Sequence, residues 1–142
     1  MQLDLVVLAD MANIDGIGKL NIIGEFNAIG ATTLPTQPIN MALAVRIIAS
    51  ASEGQEHRVA IVLVDADGHE LARIPDQTIQ FGQVMPGTSG DLRAQFVVGI
   101  GRAQFPAYAA YSFHVLVDGR FIGERTLYVT PPPSRPSIAP PA

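Results

Sequence analysis

The sequence contains no cysteine, only one lysine (Lys19) and no long uninterrupted apolar run. The absence of cysteine excludes disulfide bonds and thiolate metal sites, and it leaves the redox compartment of the protein open. The opening MQLDLVVLAD lacks the basic segment of a secretion signal, and Asp4 and Asp10 interrupt and end its apolar run. No segment approaches the ~20 apolar residues that a membrane-spanning helix needs. We therefore expect a cytoplasmic protein, or part of a particle that is assembled in the cytoplasm.

Charged side chains are also scarce. They make up 15% of the chain, against roughly 25% in typical soluble domains, while 48% of the residues are hydrophobic. The net charge is −4 and the arginines are scattered, which argues against nucleic acid and anionic membranes as partners because both need clustered cations. Two explanations of the low charge stay open: a genome-wide preference for alanine, or a surface that another chain covers. The second favours a protein partner or self-association over a small-molecule ligand.

The hydrophobic pattern has a period of two residues and is punctuated by turn signals. Near the start of the chain, Leu3, Leu5 and Val7 alternate with their neighbours as in a strand. Residues 59–64 are apolar in both phases, which is typical of a central or covered strand. Asp-Gly pairs between such segments are typical of hairpin turns. Further strands are predicted at 19–29, 39–49, 69–74, 77–84, 91–100, 110–117 and 120–129.

Short strands at a spacing of about 8–12 residues predict an all-β fold. We expect an antiparallel β-sandwich of the immunoglobulin-like or C2-like type, with about eight or nine strands. With 142 residues the chain has the length of one domain, which we place at residues 1–130. The expected core consists of inward-facing apolar side chains: Leu5, Val7, Ile22, Leu43, Val45, Ile61, Leu63, Phe96, Val98, Phe113, Val115 and Val117.

The last twelve residues, PPPSRPSIAPPA (131–142), differ in kind because six of them are proline. Proline cannot donate to a sheet, so we expect the fold to stop near Thr130 and the chain to continue as an extended Pro-rich tail. Two interpretations are open, a disordered tail and a docking arm used in assembly. In the second, Pro133, Arg135 and Pro136 form a P-x-x-P element that a proline-binding groove would recognise.

The stretch DGIGKLNIIG (15–24) raises the question of a phosphate-binding loop. The pattern G-x-x-x-x-G-K-[ST] fails at Asn13 and Leu20, and the dinucleotide pattern G-x-G-x-x-G fails at Asn21. The stretch therefore predicts a hairpin turn. Acidic turns such as DADG (65–68) lack the spacing of a calcium loop and are interpreted as turns too. No cofactor or metal is predicted.

Catalytic patterns are few. His57, His69 and His114 lie far apart and lack metal-binding spacing. Ser112, His114 and Asp118 share one face of a predicted strand. Side chains at i and i+2 on a strand, however, stand parallel and roughly 7 Å apart, which does not suit a Ser-His-Asp relay. We therefore expect no enzymatic activity.

The segment GIGRAQFPAYAAY (99–111) is the most site-like part of the sequence. We predict that it is the longest loop inside the fold, and it combines Arg102, Phe105, Pro106 and Tyr108. Aromatic rings and arginine are the residues that interface centres use, so these four form the candidate interface or ligand loop. In the alternative interpretation, Phe105 and Tyr108 close the open end of the sandwich as core residues.

The stretch ADMA (9–12) is followed by DGIGKLNIIGEF (15–26). Together they resemble the opening of a bacterial family of small uncharacterised proteins, a domain of unknown function. That family begins with an Ala-Asp-x-Ala strand and continues with a Gly-Lys-Leu-Asn-Val-Ile-Gly hairpin. MALAVRI (41–47) and YSFHVLVDG (111–119) are also similar to it. The resemblance covers about residues 2–129. It implies an immunoglobulin-like β-sandwich without an assigned activity, so it supplies no catalytic residues.

We therefore predict a non-catalytic protein-binding or assembly module, one form of which is a structural or decorating subunit of a larger particle. The alternative is a small-ligand domain, for instance for a carbohydrate, that uses the 99–111 loop. A pocket that opens at this loop would favour the alternative, whereas a loop that fills the end of the fold would not.

Overall fold

The computed structural model describes residues 1–133, most of which lie in β-strands. Helical structure in this part of the chain is limited to the short 3-10 turn Ala51–Glu53, and none of it is long enough to cross a membrane. The strands are β1 (Gln2–Ile14), β2 (Leu20–Phe26), β3 (Ala28–Gly30), β4 (Ile39–Ala49), β5 (Glu56–Val64), β6 (Glu70–Gln80), β7 (Gln83–Val84), β8 (Leu92–Ala103), β9 (Ala109–Val117) and β10 (Arg120–Thr130).

These strands form two five-stranded sheets that pack face to face. Sheet A has the order β2-β1-β4-β8-β7, and sheet B has the order β3-β10-β9-β5-β6. Within residues 1–133 every strand pair is antiparallel except β3 with β10, which run parallel. The predicted all-β sandwich is confirmed.

Two strand boundaries differ from the prediction. The predicted strand 19–29 is two strands in different sheets, because the chain leaves sheet A after β2 and enters sheet B as β3 beyond Asn27. The predicted strands 69–74 and 77–84 instead give one long strand, β6, and the two-residue β7 of sheet A. β6 continues through Pro75 because a bulge there lets a proline sit on the edge of the sheet.

The core lies between the two sheets. Seven of the predicted core residues are buried in it: Leu43, Val45, Ile61, Leu63, Phe113, Val115 and Val117. Phe81, Tyr111 and Leu127 complete it as large side chains with almost no exposure. Ile22 is only half-buried on β2, so its prediction as a core residue is wrong. Phe96 and Val98 pack against the core but are also only half-buried.

A bulge near the start of β1 reverses the faces that simple alternation predicts. Between Leu3 and Leu5 the pairing of β1 with β4 shifts by one residue. Beyond this shift, Val6 and Leu8 face the core, with Leu8 fully buried, whereas Leu5 and Val7 face away from it. The prediction that Leu5 and Val7 belong to the core is wrong, because an inserted residue moves the later side chains to the other face.

The stretch DGIGKLNIIG forms the turn between β1 and β2 and continues into β2. The Asp15 carboxylate closes this turn, since its Oδ1 accepts the backbone N–H groups of Ile17 and Lys19, each at 3.0 Å. These two hydrogen bonds hold the pKa of the Asp15 carboxyl below its ordinary value. Gly18 has a φ of +83°, a left-handed conformation that glycine adopts readily. The acidic residue therefore serves the turn.

The β1–β2 hairpin folds back over the outer face of sheet A. The pairing of β1 with β4 ends at Ala9, and the Gln95 side chain on β8 donates to the Gly18 carbonyl at 3.1 Å. Beneath the hairpin, Ala44 points away from the core and still has 0% exposure. β4 is thus buried on both faces. The solvent side of the hairpin carries large exposed apolar side chains, namely Met11, Ile17 and Ile23.

We predict that Leu8→Ala lowers the free energy of unfolding by ~2–5 kcal/mol, because it removes a fully buried side chain and leaves a cavity. Leu5→Ala, the same change on the opposite face of the same strand, should cost clearly less. Urea unfolding followed by circular dichroism measures both variants. Equal losses in the two variants would contradict the reversed faces of β1.

Candidate functional site

Most of the segment 99–111 is strand, because β8 continues to Ala103 and β9 begins at Ala109. The loop between them is therefore only residues 104–108. Within the described chain the connection 31–38 between β3 and β4 is longer, so the prediction of the longest loop at 99–111 is wrong. The segment nevertheless forms one end of the sandwich.

Phe105 closes this end from inside. Its side chain has 0% exposure, and its ring packs against Tyr111 with 4.8 Å between the ring centroids. Thr36 fixes the backbone here: its hydroxyl accepts the Phe105 N–H at 3.0 Å, and its own N–H donates to the Phe105 carbonyl at 3.0 Å. Phe105 is therefore a core residue, and its ring cannot serve as a contact residue of an interface. Pro106 beside it is exposed.

Tyr108 lies on the surface of the same end. Its hydroxyl donates to the Ala31 carbonyl at 2.6 Å, while 41% of the residue stays exposed. This hydrogen bond ties the 104–108 loop to the connection between β3 and β4. Tyr108 is therefore a fixed surface residue, and the interpretation of it as a core residue does not hold.

Arg102 lies at a bulge where the regular part of β8 ends. The β4–β8 register places Gly101 and Arg102 opposite the single residue Asn40, whose Oδ1 accepts the Arg102 N–H at 2.8 Å. The φ of Arg102 is +53°, a left-handed conformation that costs a non-glycine residue about 1–2 kcal/mol. The hydrogen bond from the Arg102 N–H group to Asn40 helps to offset this cost.

A cavity of about 300 Å³ opens between β8 of sheet A and β6 of sheet B, and we call it the edge slot. Its lining is mainly apolar and comes from both sheets, with Arg73, Arg102 and Gln104 as its polar members. Arg73 is paired with Glu70 at 2.8 Å. The deepest apolar contributions come from Ile61, Leu63, Ile74, Ile100 and Phe113. Among the four predicted loop residues, Arg102 is the one that lines this slot.

The slot exists because, among the described residues, most of β8 has a neighbouring strand on one side only. β7 is two residues long and pairs with Leu92 and Arg93 alone. From Ala94 to Ala103, within the part of the chain that the structure describes, β8 pairs with β4 and with no strand on its other side. The inward-facing side chains of this stretch are Phe96, Val98 and Ile100, and all three remain half-buried. The missing neighbour explains why Phe96 and Val98 are not fully buried core residues.

The two strands that flank the slot differ in how their edges are protected. β6 carries Pro75, a bulge and the charged residues Glu70, Arg73 and Asp76. Proline, bulges and charges are the devices with which natural proteins prevent an edge strand from pairing with another chain. β8 has no proline and no charged residue from Ala94 to Gly101. Its edge is therefore open to pairing, whereas the β6 edge is guarded.

A second polar arrangement lies at the opposite end of the sandwich, around His57. This ring is 5% exposed; Nδ1 lies 2.7 Å from Asp118 Oδ2, and Nε2 lies 3.0 Å from the Gly54 carbonyl. Both partners accept hydrogen bonds, so the arrangement favours the protonated ring, in which both nitrogens donate. The hydrogen bond to Asp118 is the main cause that raises the pKa of His57, the Gly54 carbonyl adds to it and burial opposes it. Asp118 Oδ1 also accepts the Arg58 N–H at 2.9 Å.

The pattern Ser112, His114 and Asp118 does not come together as a relay. Asp118 is engaged by His57, whereas the Ser112 hydroxyl donates to Glu124 Oε2 at 2.9 Å and His114 Nε2 lies 3.0 Å from the same oxygen. Serine and histidine therefore share one carboxylate and do not bind each other. Sequence reasoning missed Glu124 because it reaches His114 across the β9–β10 pair. It missed the His57–Asp118 pair because 61 residues separate the two along the chain.

The acidic turn DADG is built like the turn at Asp15. Asp65 Oδ1 accepts the N–H groups of Asp67 and His69, at 2.9 and 2.8 Å. These hydrogen bonds, the one from His69 first, hold the pKa of the Asp65 carboxyl below its ordinary value. Side-chain ligand atoms of Asp65, Asp67 and His69 lie within 4.8 Å of one another. The Asp65 carboxylate is already used by the turn itself, as expected for a turn residue.

The proline-rich arm is described only at its beginning. β10 ends at Thr130, and Pro133 is exposed without regular structure. Arg135 and Pro136, the other two residues of the predicted docking element, lie outside the described residues.

We predict that the protein loses stability as the pH rises above the ordinary histidine pKa of about 6.5. The folded state binds the His57 proton more tightly than the unfolded chain does. Its contribution is therefore complete below that pH and is lost as the pH passes through the raised pKa of His57. Urea unfolding at a series of pH values measures this, and His57→Gln should remove this part of the pH dependence. His69→Gln, at an exposed histidine, is the control and should keep it. An unchanged pH dependence in His57→Gln would contradict the assignment.

Comparison with known proteins identifies a family. The model of a family of unknown function (DUF6941) matches residues 4–130. No curated protein matches the chain. Among solved structures, the chain is similar to a Pseudomonas fluorescens alkylpurine DNA glycosylase, AlkC, bound to DNA containing an abasic site analog, with 13% identity and a TM-score of 0.41. The match covers 88% of this chain and 30% of the glycosylase chain. From the match over residues 4–130, the chain belongs to the family of unknown function DUF6941.

Proposed function

We propose that this chain is a non-catalytic protein-binding module, which takes part in assembly by accepting an extended strand of another polypeptide at the β8 edge. The observation that carries the proposal is the stretch 94–103 of β8. Within residues 1–133 this stretch is paired on one side only, and it borders the apolar edge slot.

An added strand would meet two needs of this edge. Its backbone would pair with the free N–H and C=O groups of β8, and alternate side chains would cover Phe96, Val98 and Ile100. One of these side chains would also fill part of the edge slot. In strand addition, main-chain hydrogen bonds supply affinity and side-chain pockets supply specificity. Each Å² of apolar surface removed from water contributes about 25 cal/mol in addition.

The polar side chains support binding over catalysis. Ser112 and His114 are both held by the Glu124 carboxylate, and Asp118 is held by His57 and by a backbone N–H group. Each of these groups already has its partner within a strand pair or a turn. This arrangement cross-links neighbouring strands and turns, and so stabilises the fold.

We further propose that the module works as a decorating subunit of a larger particle, in the cytoplasm or assembled there. The low share of charged residues, 15%, suits a surface in contact with other chains. The segment 131–142 follows β10 and begins beside β3, which is the edge of sheet B remote from β6 and the slot. We propose Pro133, Arg135 and Pro136 as the module's docking arm, whose described start at Pro133 lies away from the β8 edge.

Small-ligand binding at the edge slot is a second candidate function. The slot opens beside residues 100–104, and its volume of about 300 Å³ is at the lower end of the range for ligand pockets. Its lining favours an apolar molecule with an anionic group for Arg102 over a carbohydrate, because a sugar needs several polar partners. A rise in the melting temperature with octanoate but not with glucose, in a thermal-shift assay, would support this candidate.

We predict that the β8 edge binds a capped synthetic peptide with the sequence of residues 94–103, AQFVVGIGRA. Amide shifts in the NMR spectrum of the labelled protein should change along β8 and around the slot. The variant Val98→Lys, which places an inward charge at the edge, should abolish these changes and keep a dispersed spectrum. The variant Gln80→Lys adds the same charge on β6, beside Glu56, and should bind like the wild type.

Two results would contradict strand acceptance. One is the absence of shifts at millimolar peptide in a chain that light scattering shows to be monomeric. The other is a set of shifts confined to Met11, Ile17 and Ile23, which would place the docking surface on the exposed face of the β1–β2 hairpin.

A further inference from the structure

We infer that the strand accepted by β8 is the β8 strand of a second copy of this chain. The two strands would run antiparallel across a two-fold axis, and the two copies of sheet A would become one continuous sheet. This inference rests on the proposed function, because it names the partner of the same edge.

A register centred on Val98 lies within the stretch of β8 that no strand of the described residues covers. β7 covers β8 only before Ala94, and the bulge at Gly101 and Arg102 ends the regular strand, so the regular stretch from Ala94 to Ile100 is available for pairing. Antiparallel pairing centred on Val98 places the Val98 residues of the two copies opposite each other. The same register places Phe96 opposite Ile100 of the second copy, and Ala94 opposite Arg102 of the second copy.

The opposed side chains are complementary in this register. Directly opposed residues of an antiparallel pair point to the same face of the sheet. Phe96, Val98 and Ile100, which are half-buried in one copy, would therefore each meet an apolar side chain of the second copy on the core side. A pair of an aromatic and a β-branched side chain is favourable across strands. On the outer face Val97 would lie opposite Gly99, so a large side chain meets a small one.

The distribution of charge favours a second copy. An interface with two-fold symmetry brings a patch against itself, so any charge near its centre would meet its own sign. β8 carries no charge between Arg93 and Arg102. In the proposed register Arg102 of one copy comes near Arg93 of the second copy only at the two ends of the paired stretch, four to five positions, or ~14–17 Å at ~3.4 Å per residue, from the axis. Like charges are therefore confined to the rim of the interface, where water and salt screen them. The edge is therefore compatible with itself.

The same geometry closes the assembly at two copies. Pairing occupies the side of β8 that no strand of residues 1–133 covers, and the neighbouring β6 edge is guarded by Pro75, Glu70 and Asp76. The contact is isologous, so it does not continue into a filament.

The test uses the full chain, which has no cysteine, so that single introduced thiols report on proximity. Light scattering across a tenfold concentration range should give twice the mass of the chain. Val98→Cys should form a disulfide-linked dimer under mild oxidation, since opposed Cα atoms lie ~4.5–5.5 Å apart in an antiparallel pair. Phe96→Cys and Ile100→Cys should cross-link poorly alone and efficiently when mixed. Gln80→Cys, on the guarded β6 edge, is the control and should not cross-link.

A monomer at every concentration would overturn the inference, as would a dimer that cross-links through Gln80→Cys or that Val98→Lys leaves intact. Where Val98→Cys does not fold, the wild-type mass and the mixed Phe96→Cys and Ile100→Cys experiment decide. Binding of the AQFVVGIGRA peptide to a monomeric chain would overturn the second copy and keep strand acceptance. If the wild-type chain neither shows shifts with the peptide nor forms a dimer, both proposals are overturned.

Discussion

The fold depends on the burial of strands that are apolar on both faces. The inward side chains of β4 and β5 form much of the core, and their outward side chains are nearly as buried, with Ala44 at 0% and Val62 at 5% exposure. Burial of such surface is the main favourable term in folding. The two sheets achieve it differently. The β1–β2 hairpin folds over sheet A, whereas Val62 lies in sheet B between the longer side chains of His114 and Arg73.

The hairpin also restrains the conformation of the β8 edge. Through the hydrogen bond from Gln95 to Gly18, the hairpin holds β8 from its outer face while β4 holds it from one side. The remaining side has no strand beside it within residues 1–133, and the strand is nevertheless fixed in an extended conformation. Because the strand is already ordered, binding at this edge would cost little conformational entropy, which is the general advantage of a preorganised surface. Because the neighbouring β6 edge is guarded, an added strand would pair more favourably with β8 than with β6.

Alternation and turn chemistry predict most of the fold. The Asp-Gly turns and the period of two residues place nearly all strands, since both features are local and Asp15 and Asp65 each close their own turn. The faces of β1 could not be predicted, because Leu5, Val6, Val7 and Leu8 are apolar in both phases and a bulge set by pairing with β4 decides between them. Sequence alone does not reveal a pairing that depends on residues forty positions away.

The candidate site was predictable only in part, for a similar reason. Arg102 stood out by its glycine-rich surroundings, and it borders the slot. The inward alternation of Phe96 and Val98, however, has the same pattern in a central strand as in an edge strand. What exposes them is the short length of β7, a non-local property. The contrast between Pro75 in one strand and an uncharged, proline-free stretch in the next was a usable signal of guarded and open edges.

The parallel pairing of β3 with β10 has a mechanical consequence. β10 leads the chain into Pro131–Pro133, and it is hydrogen-bonded to β9 on one side and to β3 on the other. Gly30 of β3 leaves room for Pro132, since a Cβ there would lie 3.3 Å from the Pro132 Cα. A pull on the segment after Thr130 would act along β10, so the hydrogen bonds on both sides would resist in shear and would not open one after another. β3 passes the tension through Asn27 to β2, and the load is thereby shared by both sheets.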